Sequence, residues 1–233
     1  MKTIMVRAAW AVLLAASVGR AQVLYNSPED DQPILDKPGQ DPVYYLEFVF
    51  ERPRWIEVAE QDPKTKDVRK VKYFYMPYKV TNFEKKKVEF RPDFVLHTNT
   101  GQAYRTAFSS AAFEAIKKEI RRDYLVSQAD LNTTGIPEGE ENVKHSVAIF
   151  REFDSRADEF DIFVGSLTNY PPRKIKNPLW KENQVGEARK EEEYFLANRM
   201  LRIHCLFPGY KEGRLVSHAS VQVINWVWRS ESN

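Results

Sequence analysis

The chain is short of cysteine: Cys205 is alone in 233 residues, so no intrachain disulfide can form. It also lacks any apolar run near the ~20 residues needed to span a bilayer as a helix. The longest candidate, Ala8–Val18 (AAWAVLLAASV), stops after about eleven residues, the length of a signal-peptide core. There is no excess of one charge: 35 basic residues stand against 33 acidic ones. No G-x-S-x-G nucleophile elbow, no H-x-H or H-E-x-x-H metal pair and no Gly-rich phosphate loop occurs. The four histidines, His97, His145, His204 and His218, fall in four separate segments. These absences argue against a disulfide scaffold, a helical membrane protein, a nucleic-acid binder and an enzyme with a compact local motif.

What is present begins with an address. Lys2 and Arg7 precede the apolar run, and Gly19-Arg20-Ala21 places small residues at −3 and −1. Residues 1–21 therefore read as a signal peptide cleaved before Gln22, leaving no stable transmembrane anchor. The expected location is exported, periplasmic or extracellular. Loss of Lys2, Arg7 and Arg20 from the 35 basic residues leaves 32 against 33 acidic, a formal charge of −1. Such a chain has no global attraction for nucleic acid. Residues 22–42 carry Pro28, Pro33, Pro38 and Pro42 and read as a stiff arm or linker.

From Val43 the pattern is that of strands. Val43–Phe50 is strongly β-prone, and Arg54–Ala59 continues it past Pro53 after a bend. In Val71–Phe83, Phe74, Met76, Tyr78 and Val80 share a face by the period-two rule. Pro77 lacks an N–H, which points to an edge or bulged strand. Asn82–Lys87 (NFEKKK) reads as a solvated hairpin turn, followed by a partner strand through Val88–Phe90 and Phe94–Leu96. Further strands are expected at Lys144–Phe150, Phe160–Leu167, Leu201–Phe207 and Ala219–Trp228. Asn169–Asn177 reads as a Pro-rich loop, and 179–198 is left open between helix, strand and loop. One helix stands out near 109–124: Phe113, Ile116, Ile120 and Tyr124 recur at helical spacing behind a Ser109 or Ser110 cap. It is expected to cover an open end of the molecule. The fold class is thus mainly all-β, an antiparallel β-sandwich with one inserted helix, and residues 43–229 form one domain.

The segments Tyr78-Lys-Val-Thr-Asn82, Val88-x-Phe90 and Phe94–Gly101, with Ile136-Pro-Glu-Gly-Glu140 and Val147–Phe150, carry a resemblance. They resemble a family of bacterial exported immunoglobulin-like domains of unknown function. Phe207-Pro-Gly209 and Trp226-Val-Trp-Arg229 are similar to segments of uncharacterised exported proteins of planctomycete-type bacteria. The helix near 109–124 lengthens the simple pattern, and Thr100 stands where an acid is expected in the turn before Gly101. The resemblance implies an immunoglobulin-like sandwich outside the cytoplasm and brings no catalytic residues.

Two groups are candidate sites. Asp154, Asp158 and Asp161, with Glu159, place hard oxygens close enough in sequence for calcium, although a solvated turn is the plainer reading. Trp226 and Trp228 share a strand face with Gln222 and Ile224. As an exposed pair they would stack on sugar rings; as a buried pair they would fill the core, which is the preferred reading. Cys205 lies in the alternating run LRIHCLF and reads as a buried thiol. No cofactor is expected. The function expected is non-enzymatic: an exported module that binds or scaffolds an envelope protein or polysaccharide. A carbohydrate-binding sandwich and a hydrolase with a convergent site follow in that order.

Overall fold

The computed structural model describes residues 43–62, 64–154, 156–176, 194–207 and 218–229. The segments read above as a signal peptide (1–21) and an arm (22–42), and most of the open stretch 179–198, lie outside them. Over the described residues the protein is mostly β, with two antiparallel sheets and two α-helices. Among the described residues no helix is long and apolar enough to cross a membrane.

The first sheet is organised around one long strand, β3 (Val68–Thr81). Its later half pairs with β1 (Glu47–Phe50) and its earlier half with β2 (Arg54–Gln61), so β1 and β2 are two segments along one edge of β3. Its other edge pairs with β6 (Lys144–Arg151). Pro77 therefore lies in the central strand, not at an edge. The geometry explains the exception. In an antiparallel ladder a residue's N–H and C=O point to the same neighbour. The Pro77 carbonyl accepts from Glu51 N at 2.8 Å. Its missing donor thus faces the bend at Glu51–Pro53, where a ladder bond is absent anyway.

The second sheet runs in the order β10 (Ser220–Arg229), β9 (Tyr194–Leu206), β7 (Glu159–Gly165), β4 (Asp93–Thr98), β5 (Ala103–Arg105). A short strand, β8 (Arg173–Lys176), pairs with the start of β9. β8 falls where a loop was expected, and β9 begins seven residues before Leu201. The expected hairpin between β3 and β4 is not formed either: β4 pairs with β7 and β5 in the opposite sheet. Residues 82–92 are a crossover. Asn82, fully buried, organises it: its Nδ2 donates to Lys86 O at 2.8 Å and Ile136 O at 2.9 Å, while Oδ1 accepts from Glu84 N at 2.9 Å.

The two sheets bury one large cluster. Phe48, Phe74, Met76, Tyr78, Val80 and Phe150 of the first meet Phe94, Leu96, Phe160, Ile162, Leu201 and Ile203 of the second. Such face-to-face packing of inward alternate residues is what makes a β-sandwich. Phe74 is the hub, edge-on to Phe153, Phe160 and Phe207 at 5.2–5.5 Å between ring centres. Backbone bonds from Leu46 N to Leu167 O and from Ala219 N to Pro53 O, each 2.8 Å, tie the sheets together.

The expected helix is α1 (Ser110–Ile120), with Ser109 Oγ accepting from Ala112 N at 3.1 Å as its N-cap. It does not close an end of the sandwich. Ala112 and Ile116 pack on the outer face of the first sheet, against Val58, Val71, Tyr73, Tyr75, Val147 and Ile149, forming a second, smaller cluster. A second helix, α2 (Gln128–Thr134), ends at Gly135 with φ +59. A Cβ there would come within 3.0 Å of Val88 O, so glycine is required where the crossover meets Ile136.

Candidate functional site

Trp226 and Trp228 lie opposite Leu201 and Arg199 across the β10–β9 ladder. Leu201 is a core residue, so both indoles are on the inward side of the sheet. Gln222 does not join them: the register shifts between Val221 and Val223, and Gln222 is an exposed bulge residue. Both tryptophans are half-buried at the end of the sandwich, where the core gives way to solvent.

The indoles are covered. Trp226 is edge-on to Tyr45 at 5.7 Å and Trp228 to Tyr170 at 5.3 Å. The Arg199 guanidinium lies 5.9 Å from the Trp226 ring centre and 5.3 Å from that of Trp228. The Arg173 guanidinium is 4.6 Å over Trp228 and 5.4 Å from Tyr170, whose hydroxyl accepts from its Nη2 at 2.9 Å. A guanidinium attracted to a ring by its quadrupole uses its face, while its N–H donors lie in its plane. The cluster is therefore two oriented arginines on an aromatic bed, not a bare stacking platform.

Beside it a cavity of about 250 Å³ is lined by Asp93, Ser166, Thr168, Tyr170, Asn198 and Arg199. Ser166 turns the chain there at φ +61, a left-handed conformation uncommon outside glycine. Hydroxyls and an amide thus line the cavity with Arg199, Arg173 stacks beside it on Trp228, and the lining carboxylate Asp93 is ion-paired with Arg105 at 3.0 Å. This suits a ligand with anionic oxygens, which arginine can hold in bidentate fashion.

The other sequence candidates are placed differently. Asp154 is held by Arg156 through Nε at 2.9 Å and Nη2 at 2.8 Å, which keeps its carboxyl well below the usual range. Asp158 accepts from Asn99 Nδ2 at 2.6 Å. Asp161 is on the outer face of β7, where His204 Nδ1 is 2.8 Å and Arg202 Nε 2.9 Å from its Oδ1. The turn does not gather these carboxylates: among the described residues no three His, Cys, Asp or Glu side chains are arranged to hold a metal.

His204 does meet two carboxylates, its Nε2 being 3.2 Å from Glu159 Oε1. Both ring nitrogens are thereby engaged, and the group lies across β9 and β7 as a cross-strand polar cluster. Its neighbour Cys205 points the opposite way, into the core; burial, with a smaller contribution from Asp161, pushes the thiol far up, so it stays protonated.

Sequence reasoning singled out the two tryptophans and missed the arginines that cover them. One signal was there: period-two counting back from Leu201 puts Arg199 on the inward face. No family model, no curated protein and no solved structure matches this chain.

Proposed function

We propose that the protein is an exported, immunoglobulin-like β-sandwich module that works by recognition, binding a component of the cell envelope that carries carboxylate or phosphate groups. The observation that carries this reading is the stacking of Arg173 and Arg199 on Trp228, next to a cavity lined with hydroxyl and amide groups. Stacking orients the guanidinium groups before a ligand arrives, which lowers the ordering cost of binding. The export half of the reading rests on Lys2, Arg7, the eleven-residue apolar run and the small residues before Gln22. Binding neutral sugar through open tryptophan faces is less well supported, because the Arg173 and Arg199 guanidinium groups already lie over the indoles.

The test is retention of the chain from Gln22 onward on an envelope fraction and on immobilised acidic and neutral polysaccharides. The expected result is retention on the acidic material that weakens with salt, since exposed ionic contacts are screened. The double variant Arg173→Gln, Arg199→Gln should lose about tenfold in affinity while keeping its circular dichroism spectrum, on the scale of losing charged hydrogen bonds. Equal retention of wild type and double variant, or retention on neutral polysaccharide alone, overturns the reading.

A further inference from the structure

A second cavity, about 230 Å³, opens on the opposite side of the molecule, on the outer face of the first sheet beyond the end of α1. Its floor is one cross-strand row: Val49 on β1 pairs with Lys79 on β3, which pairs with His145 on β6. Inward neighbours Tyr78 and Ser146 are buried, so alternation sends Lys79 and His145 outward into the cleft. The wall is the segment after α1, which Arg121 turns away from the helix in a left-handed conformation. That turn brings Arg122 and Tyr124 over the row, with the Tyr124 ring edge-on to His145 at 4.9 Å.

The charges in this cleft do not balance. Arg122 is ion-paired with Glu51, and Arg54 approaches the same carboxylate at 3.9 Å. Among the described residues the Lys79 ammonium makes no ion pair or hydrogen bond, and neither does the His145 ring, although both backbones pair in the ladder. A half-buried lysine and an imidazole thus face the same space, whose one lining carboxylate, Glu51, is already ion-paired with Arg122. Burial first, then Arg122 and Lys79, hold the imidazole below its ordinary value, with Glu51 opposing them. At ~30 Å³ per water the cavity accommodates about seven or eight waters, the size of a compact solute.

We propose that this cleft binds a small anion bearing a phosphate or carboxylate group, with Lys79 as its charge partner and His145 as a hydrogen-bond donor. The groups facing His145 are Lys79 from β3, Glu51 after β1, and Arg122 and Tyr124 after α1. A bound anion cancels the repulsion from Lys79 and Arg122 and favours the imidazolium. Proton uptake therefore accompanies binding, and affinity rises as pH falls toward about 6.

The experiment is amide-shift mapping of the isotopically labelled chain from Gln22 onward. Inorganic phosphate and acetate are titrated separately at constant ionic strength and about pH 7.5, and acetate again at about pH 6. The expected result is saturable shifts at Val49, Lys79 and His145, tighter acetate binding at the lower pH, and affinity about tenfold weaker in Lys79→Gln. His145→Gln should bind with the pH dependence removed. Saturation by phosphate alone assigns a phosphate ester, and by acetate alone a carboxylate; either supports the site. The proposal fails if neither anion saturates, if shifts gather at the exposed Lys85–Lys87 turn, or if Lys79→Gln binds like wild type. Arg173 and Arg199 lie on the other sheet, so this outcome is independent of the envelope-binding test.

Discussion

Replacing Phe74 by alanine tests whether the two sheets are held together as described. Its side chain is fully buried, with Trp55 at 5.1 Å and Phe153, Phe160 and Phe207 at 5.3, 5.2 and 5.5 Å. Deleting a buried phenyl ring costs about 3–5 kcal/mol through lost transfer energy and the cavity left behind. Aromatic pairs add about 0.5–1.5 kcal/mol each beyond area, but these partners also touch one another and partly re-form contacts. A loss of about 4 kcal/mol is the reasoned value, a large part of a total stability of about 5–15 kcal/mol. At about 2–4 °C per kcal/mol for a chain of this size, Tm should fall by roughly 8–16 °C. The measurement is thermal unfolding followed by near-ultraviolet circular dichroism and calorimetry, with Phe108→Ala as control. Phe108 is 76% exposed, and its removal should stay within about 0.5 kcal/mol. A Phe74→Ala shift below about 3 °C, or an equal shift in both variants, would refute the reasoning.

Two further outcomes follow from local chemistry. Ser109 Oγ caps α1 and donates to Glu60 Oε1 at 2.6 Å, where Tyr73 also donates at 2.7 Å. Ser109→Ala should therefore cost about 2–4 kcal/mol, the sum of a cap and a bond to a carboxylate; urea unfolding measures it, and a change under about 0.3 kcal/mol contradicts the capped geometry. Stability should also fall as pH drops. His97, His145 and His218 are each held below the ordinary value of 6.5, by burial first and then by nearby arginines and, for His145, Lys79. With the folded value below the unfolded one, protonation favours the unfolded chain. The histidine contribution is complete above about pH 6.5 and is lost as pH falls toward the folded values. Tm recorded from about pH 7.5 to 5 should decline, and His145→Gln should flatten part of the decline; a Tm that rises on acidification contradicts the sign.

The strands were legible in the sequence because a half-buried strand writes its two faces at a period of two. Phe74, Met76, Tyr78 and Val80 were assigned one face, and all four are in the inter-sheet core. Which strand pairs with which was not legible. A short polar segment between two strands has the same composition whether it closes a hairpin or crosses between sheets, and Asn82–Lys87 reads as the former. The crossover is set by Asn82 reaching Ile136, a contact 54 residues distant. Pro77 misled for a related reason. A missing donor forbids a ladder bond only on the side it faces, and that side is visible only once the bend in the neighbouring edge is known. The amphipathic pattern of α1 gave the helix and its buried stripe, but a stripe does not say which surface it covers.

The candidate site shows a different limit. Trp226 and Trp228 were paired by strand alternation, which is local, whereas their covering groups arrive from Arg173 and Arg199 on two other strands. Cation–π contacts leave no spacing rule in a sequence. What the sequence does offer is inconsistency: along β9 the inward positions read Ala197, Arg199, Leu201, Ile203 and Cys205, and one of the five is charged. A guanidinium on an inward face is costly to bury, so the strand must run beyond the core at that point. Once β9 is known to outrun the core, its partner residue Trp228 must also sit at the mouth, where a ring is wet on one side and packed on the other. Lys79 does not offer that inconsistency. It occupies an outward position where lysine is ordinary, and only the segment after α1, folding back over it, makes it the floor of a cleft.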